Sequence, residues 1–367
     1  MIKYLDLKEI NERYEPYLSK VILDVISSGR YLLGDELNKF ESAFASYCGV
    51  TNCIGTANGL DALSIIFKAL IANGDLKERD EIIVPANTFI ATILSIINAN
   101  LTPVLCEPDI NTLNIDCNHL QSLITEKTKA IVAVHLYGNI CNMDKICHIA
   151  QTNNLIIIED CAQAHGASLN GRKCGTFGKA SAFSFYPGKN LGALSDAGCI
   201  TTDDSNLTSI FRAVLNYGMS EKYICSIKGC NSRLDEIQSA VLNYKLKFLD
   251  QETEKRRNIA EKYYSYIDNP SISMPQRMER ENSVFHIFPI LCTKRDQLKK
   301  YLFDNGIDTL IHYPVPPHKQ KAFKEWNDIS LPVTEKIHET ILSIPLNPVL
   351  TESMTDKIIK VINSFDK

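Results

Sequence analysis

Short apolar runs recur along the first part of the chain: Ile82–Val84, Pro103–Cys106, Ala130–Val134, Leu155–Ile158, Ser181–Phe185 and Cys199–Thr202. Each has the length of a strand buried on both faces rather than of a helix. Most are separated by longer segments with helical periodicity. Leu60–Ile71 sets Leu60, Leu63, Phe67, Leu70 and Ile71 on one face, and Thr88–Asn98 and Met143–Gln151 are of the same kind. Alternating strands and helices predict an α/β protein with a mainly parallel sheet flanked by helices. Ligands of such sheets sit beyond the carboxyl ends of the strands, so the polar residues that follow each run carry the most information.

The pattern changes near Lys245. The stretch KLKFLDQETEKRRNIAEKYYSYI, which starts there, reads as one long charged helix. It predicts a large domain over 1–245 and a smaller C-terminal domain over 246–367. The second part has fewer apolar runs and a loop rich in proline and histidine, Ile311–Gln320. A length of 367 residues suits such a two-domain chain.

Composition narrows the function classes. Apolar residues make up 45% and charged residues 22%, with a net charge of -4 and both signs spread throughout. A nucleic-acid or membrane-surface role needs a basic patch, and none stands out. The start, MIKYLDLKEI, is not a signal peptide, and the longest apolar runs are far too short to span a bilayer. The 12 cysteines include no Cys-x-x-Cys pair and no cluster at zinc-site spacing. The expectation is a cytoplasmic protein with free thiols and no metal.

Four segments carry candidate chemistry. In LIIIEDCAQAHGA, Glu159 and Asp160 end a buried strand, where a carboxylate is costly without a partner charge or several donors. A protonated pyridine nitrogen would be such a partner, and an acid beside it keeps the ring able to accept electrons. A helix cap is the other reading of Asp160. Gln163 follows within reach of the same crevice, and His165 reads equally as an imidazole at the edge of the core. In SAFSFYPGKNLGALSDAG, a strand ends at Ser184 and the chain turns through Pro187–Gly188 into Lys189. A lysine held out of water has a lowered pKa and can attack an aldehyde; in a solvated turn it would do nothing. The Ser184 hydroxyl can donate to a phosphate. In IGTANGLDAL, Asn58 and Gly59 open a helix whose free N–H groups could bind an anion, although a plain capped helix fits as well. In VPANTFIAT, Phe89 could stack on a planar ring or simply fill the core. Each follows a strand, and together they supply a phosphate seat, a ring stacker, an acid and an amine.

The blocks SGRYLLGDELNKFE, NGLDAL, VPANTFIAT, EDCAQAHGA, SFYPGKNLGAL and NSRLDEIQSAVL occur in one order along nearly the whole chain. In this the sequence resembles the nucleotide-sugar aminotransferases of the DegT/StrS type, pyridoxal 5'-phosphate (PLP) enzymes of fold type I. The resemblance implies that Lys189 carries the cofactor as a Schiff base, that Asp160 partners the pyridine nitrogen, and that Gln163 contacts the ring hydroxyl. It implies phosphate contacts from Ser184, Asn58 and Gly59, and a stacking role for Phe89. Asn231, in NSRLDE, matches a residue that reaches the phosphate of the neighbouring subunit, which implies a homodimer with shared sites. Asn231 also reads as a cap for the helix that follows. Some relatives carry His in place of this lysine and remove a sugar hydroxyl; Lys189 places the chain on the aminotransferase side.

Finer resemblance, in SFYPGKN, ANTFIAT and PVLCEPD, implies a dTDP-linked 3-keto-6-deoxyhexose as substrate and glutamate as amino donor, in bacterial surface-glycan or related amino-sugar biosynthesis. A 4-keto sugar or a UDP-linked sugar stands as the alternative, and a non-catalytic regulator with the same fold as a further one. Tyr217, His312, Tyr313 and His318 are the expected sugar contacts.

Overall fold

The computed structural model describes residues 1–366. Its centre is a seven-stranded sheet. The strands are β1 (Asn52–Thr56), β2 (Glu81–Pro85), β3 (Thr102–Cys106), β4 (Thr128–Val134), β5 (Ile156–Asp160), β6 (Ala180–Ser184) and β7 (Gly198–Thr202). Their spatial order is β1-β7-β6-β5-β4-β2-β3. All pairs are parallel except those of β7, which runs against both of its neighbours. Strands β1 and β6 therefore point the same way, and β1, β2, β4, β5 and β6 all end at one edge.

The apolar runs are continuous because both faces of the sheet are covered. Alternate residues enter opposite cores. Ile82, Val84, Ala130, Val132 and Val134 pack with the helices Gly59–Ala72, Ile90–Asn98 and Ser205–Val214. Ile83, Ile131 and Ala133 pack on the other side with Asp35–Cys48 and Met143–Thr152. A third core gathers Ile259, Tyr263, Phe288, Leu302, Ile344 and Ile362 around an antiparallel pair, β8 (Phe288–Leu291) and β9 (Ile341–Ile344). The chain start joins this core through Ile2, whose N–H donates to the Gly306 carbonyl at 2.7 Å.

Two expectations change. The segment from Lys245 is not one helix. Lys245 and Leu246 end the helix Glu236–Leu246, and a second helix runs from Leu249 to Tyr266. The break falls at Lys247–Phe248, where the Phe248 ring turns in to pack on Tyr14 and Tyr244, with centroids 5.5 and 5.4 Å away. The helix expected from Thr88 starts at Ile90 instead, with Phe89 extended before it (ψ 143). Thr88 and Phe89 are thereby freed from the helix and line the cleft described next.

Candidate active site

A cleft of about 700 Å³ opens at the edge where β1, β2, β4, β5 and β6 end. Asn58 and Gly59 follow β1, Thr88 and Phe89 follow β2, and His135 follows β4. Asp160 ends β5 and Ser184 ends β6. All of them line it, as does Lys189.

Asp160 is held from two sides. Its Oδ2 accepts a hydrogen bond from the Thr92 hydroxyl at 2.8 Å, and its Oδ1 accepts one from the Ala162 N–H at 3.1 Å. A carboxylate only accepts, so Thr92 must be the donor, and Thr92 in turn accepts from Thr88, 2.8 Å away. Residues 161–167 form turns rather than a helix, which removes the helix-cap reading of Asp160. Two anchored oxygens still leave lone pairs for a donor in the cleft.

Glu159, one residue earlier, faces the opposite side of the sheet and is fully buried. Its oxygens accept from the N–H groups of Gly175, Phe177 and Gly178 and from the Ser181 hydroxyl, at 2.8–2.9 Å. His135 completes the set. Its Nδ1 accepts the Cys141 N–H, so its Nε2 bears the hydrogen and donates to Glu159 at 3.0 Å. Burial alone would raise the Glu159 carboxyl; the His135 hydrogen bond and the backbone donors outweigh it and hold it below its usual value. This carboxylate fastens the 174–181 loop that leads into β6.

Lys189 lies in a tight turn, its N–H donating to the Tyr186 carbonyl at 2.8 Å. Its amine has no hydrogen-bond or ion-pair partner among the described residues. Burial lowers its pKa to about 8, against the opposite pull of Asp160. The nearby imidazoles stay neutral. Burial, then the Lys189 charge, lowers His165 to about 3 and His312 to about 4. His165 donates from Nε2 to the Ser184 carbonyl at 3.0 Å and stacks obliquely on Phe183 and Phe185, which makes it a support for the end of β6.

The start of the helix Gly59–Ala72 has the free N–H groups and dipole that suit an anion. The Asn58 carboxamide caps it by accepting the Asp61 N–H at 2.8 Å. That leaves the Gly59 and Leu60 N–H groups free at the cleft. A Cβ at position 59 would stand 2.7 Å from the Ser184 Cβ, so only glycine lets the helix start approach the serine. Ser184 and the start of the helix thus lie side by side at the cleft. Across the cleft, Phe89 is half exposed, its ring centroid 5.2 Å from that of Tyr313. The Gln163 carboxamide accepts the Tyr137 N–H and donates to the Tyr313 hydroxyl at 3.2 Å, which fixes its orientation.

The expected sugar contacts divide. His312 and Tyr313 line the cleft, and the His312 Nδ1 meets the Ser343 hydroxyl at 2.9 Å. His318 does not. It is fully buried, with Nε2 3.0 Å from Glu335, because Pro317–Lys319 form a 3-10 turn that carries it behind the cleft. Tyr217 is 45% exposed and outside this chain's cleft. It stands beside Asn231, which bridges to Asn216. Asn231 is not a helix cap either, since Asp235 caps the helix Glu236–Leu246. The cleft adds residues that the sequence did not single out: Tyr4, Arg256, His286 and Leu310.

A ligand with an anion for the helix start, a protonated ring nitrogen for Asp160 and an aldehyde for Lys189 would fit this cleft. The fold and the cleft are those of a pyridoxal-phosphate enzyme. Residues 15–363 match the model of the DegT/DnrJ/EryC1/StrS aminotransferase family. The chain is 48% identical to a dTDP-3-amino-3,6-dideoxy-alpha-D-galactopyranose transaminase of Aneurinibacillus thermoaerophilus, over 100% of this chain and 99% of that one. Among solved structures it is similar to DesV of Streptomyces venezuelae, with a TM-score of 0.94 and 39% identity over 99% of this chain and 97% of that one. It is also similar to NtdA of Bacillus subtilis, solved with bound PMP, with a TM-score of 0.89 and 29% identity over 98% and 84%. The chain belongs to the DegT/DnrJ/EryC1/StrS aminotransferase family.

Proposed function

We propose that this enzyme moves an amino group from glutamate to carbon 3 of a dTDP-linked 3-keto-6-deoxyhexose, in the cytoplasm and as a homodimer, to supply amino sugars for surface glycans or related products. The observation that carries the reading is a partly neutral, unpaired Lys189 amine in one cleft with the Gly59–Ser184 anion seat and the anchored Asp160. The sugar assignment leans on the likeness to the Aneurinibacillus transaminase.

PLP, when bound, supplies an aldehyde for nitrogen transfer and a ring that takes up electrons. The chain does the rest. Gly59, Leu60 and Ser184 would hold the cofactor phosphate, Phe89 would stack on the ring, and Gln163 would meet the ring hydroxyl. Asp160 would accept a hydrogen bond from the protonated ring nitrogen and keep it charged. The Lys189 amine takes a proton from Cα of the amino donor and, in the second half-reaction, gives one to the sugar carbon that receives nitrogen. His312 and Tyr313 face the sugar. All 12 cysteines are free, which fits a reducing compartment. No helix among the described residues is long and apolar enough to cross a membrane.

The test is direct. Purified holoenzyme, given dTDP-3-keto-6-deoxyhexose and L-glutamate, is expected to form the 3-amino sugar and 2-oxoglutarate, detected by mass spectrometry. Turnover of only a 4-keto or a UDP-linked sugar would reassign the substrate, and no turnover of any keto sugar would remove the reading.

The dimer has its own test. Tyr217 and Asn231 lie together on the outside of this chain, and Tyr17, Leu23, Ile26, Tyr31, Leu32 and Leu33 are exposed apolar side chains of the N-terminal region. In the proposed dimer Asn231 enters the partner's site. Lys189→Ala and Asn231→Ala proteins, each impaired, are mixed and allowed to exchange. Every hybrid then has one intact site and one doubly defective site, so activity should recover to about a quarter of the wild-type rate. Exchange without recovery would show that Asn231 does not act in trans.

A further inference from the structure

The turn after β4 carries Tyr137, a buried residue that is not part of the cleft wall. Its backbone is left-handed (φ 61, ψ 6), a conformation rare for a residue with a large side chain. The turn is held there from two sides. The Ile287 N–H donates to the Tyr137 carbonyl at 3.3 Å and the Val284 N–H to the Gly138 carbonyl at 2.9 Å. A Cβ on Gly138 would stand 2.8 Å from the His286 nitrogen and 3.0 Å from the Gln163 carbonyl, so the turn is pressed between those two segments. In this conformation Tyr137 makes two bonds toward the site. Its N–H donates to the Gln163 Oε1, and its hydroxyl donates to the His312 carbonyl at 2.8 Å. Burial, with Tyr313 and Tyr4 nearby, raises the phenol well above its usual pKa, so it keeps the proton that it donates.

Gln163 closes a ring. With its oxygen taken by Tyr137, it turns its NH₂ to the Tyr313 hydroxyl at 3.2 Å. The circuit runs from the Tyr137 N–H through Gln163 to Tyr313, along the backbone to His312, and back to the Tyr137 hydroxyl. The remaining bonds of this loop stay within the C-terminal part of the chain. Leu310 exchanges both main-chain bonds with Ser343, at 3.1 and 2.7 Å, and the His312 Nδ1 meets the Ser343 hydroxyl at 2.9 Å. Among the described residues, the Tyr137 and Gln163 side chains supply the hydrogen bonds that tie His312 and Tyr313 to the part of the chain that builds the seven-stranded sheet.

We infer that Tyr137 is a positioning residue for sugar recognition: its hydroxyl and its N–H hold the His312–Tyr313 pair at the cleft in register with the Gln163 carboxamide. The inference rests on the reading of His312 and Tyr313 as the residues that face the sugar. Of the two ties, the Tyr137 hydroxyl makes the shorter bond and grips the backbone itself. Without it the loop keeps only the Gln163–Tyr313 bond, and the cost of ordering the pair falls on sugar binding. The groups that act on the amino donor, Lys189 and Asp160, have no contact with Tyr137.

Tyr137→Phe removes one oxygen and keeps the ring, its volume and the backbone N–H. The half-reactions of wild-type and variant holoenzyme with L-glutamate and with a dTDP-3-amino-3,6-dideoxyhexose are followed separately by visible absorbance. Amide hydrogen–deuterium exchange is read by mass spectrometry over peptides that cover 308–316. The amino-sugar concentration for half-maximal rate is expected to rise about 10-fold, with the limiting rate within about threefold. The glutamate half-reaction should stay within about twofold, the cofactor spectrum should not shift, and exchange at 308–316 should quicken. Unchanged sugar kinetics would overturn the inference. So would an equal loss in both half-reactions, a shifted cofactor spectrum or a failure to fold, each of which would make Tyr137 a general support of the site. If the wild type converts no amino sugar, the sugar reading falls on its own, and the exchange measurement still decides whether the hydroxyl holds the loop; unchanged exchange would then refute the lock.

Discussion

Lys189→Ala is expected to lower turnover by more than about 10⁴-fold, because in the proposed mechanism one amine both holds the cofactor covalently and moves protons at the substrate carbon. The fold should survive. Lys189 sits in a turn that its own backbone closes against Tyr186, and its side chain has no partner to lose. Removing a partly buried cation relieves desolvation rather than a bond. The anion seat, Asp160 and Phe89 are untouched, so the variant should still bind PLP or its aminated form, now without a covalent link. Borohydride reduction should trap cofactor on the wild type and none on the variant. The wild-type amine adds a pH signature. With its pKa lowered from 10.5 to about 8, half of it is neutral near pH 8. An ordinary lysine would be neutral there in about one molecule in 300. The neutral form is the nucleophile, so capture of PLP by the apo-enzyme should accelerate as pH rises through about 8 and level off above it. Near-normal turnover in Lys189→Ala would remove the assignment, and a capture rate still climbing at pH 10 would show a solvated lysine.

The parts of the fold that are legible in the sequence are those encoded locally. Strands β2 to β7 appear as apolar runs because each is covered on both faces. Strand β1 does not, since NCIGT has one large apolar residue among small ones, although four of its five positions are buried. Its smallness is functional in packing terms: a Cβ on Gly55 would meet Leu234 and Leu37 at 2.8 Å. The reversed direction of β7 has no local signature, because a strand covered on both faces looks the same whichever way it runs.

The site divides in the same way. Asn58, Gly59, Phe89, Asp160, Gln163, Ser184 and Lys189 are legible as residues of one cleft because each follows a strand, and the strand edge gathers them. Tyr4, His286 and Arg256 come from distant segments that meet only in the folded chain. Arg256 does carry a signal in the sequence. The helix Leu249–Tyr266 reads as charged throughout, yet positions 249, 252, 253, 256, 259, 260 and 263 recur at helical spacing and are all buried. A charged residue inside such a stripe asks for a partner. His318 lies away from the cleft for the opposite reason. It lies six residues after His312 in one loop, but a single 3-10 turn decides which way a side chain points, and residue type does not report that.

Asp160→Asn should lower turnover by about 10²- to 10³-fold with little change in stability, the second largest effect expected. The reason lies in the hydrogen bonds around it. Asp160 takes one bond from the Ala162 N–H and one from Thr92, and Thr92 takes one from Thr88. An asparagine in its place can keep all three contacts. Its carbonyl oxygen accepts from Ala162, its NH₂ donates to the Thr92 oxygen, and the Thr92 hydroxyl turns to donate to Thr88. The threonine pair reverses without moving a heavy atom, so the fold loses nothing. The cleft, however, loses its anion, and the ring nitrogen then has no charge to hold its proton. Asp160→Ala makes the contrast. It leaves the Thr92 hydroxyl and the Ala162 N–H without their acceptor, at a cost of about 1–3 kcal/mol each where they are buried. That variant should lose both rate and melting temperature, and Asp160→Asn rate alone. Thermal unfolding and the glutamate half-reaction, measured on both, separate the two effects. If Asp160→Asn kept most of its activity, the residue would be an anchor for the turn after β5 and not the partner of the ring nitrogen.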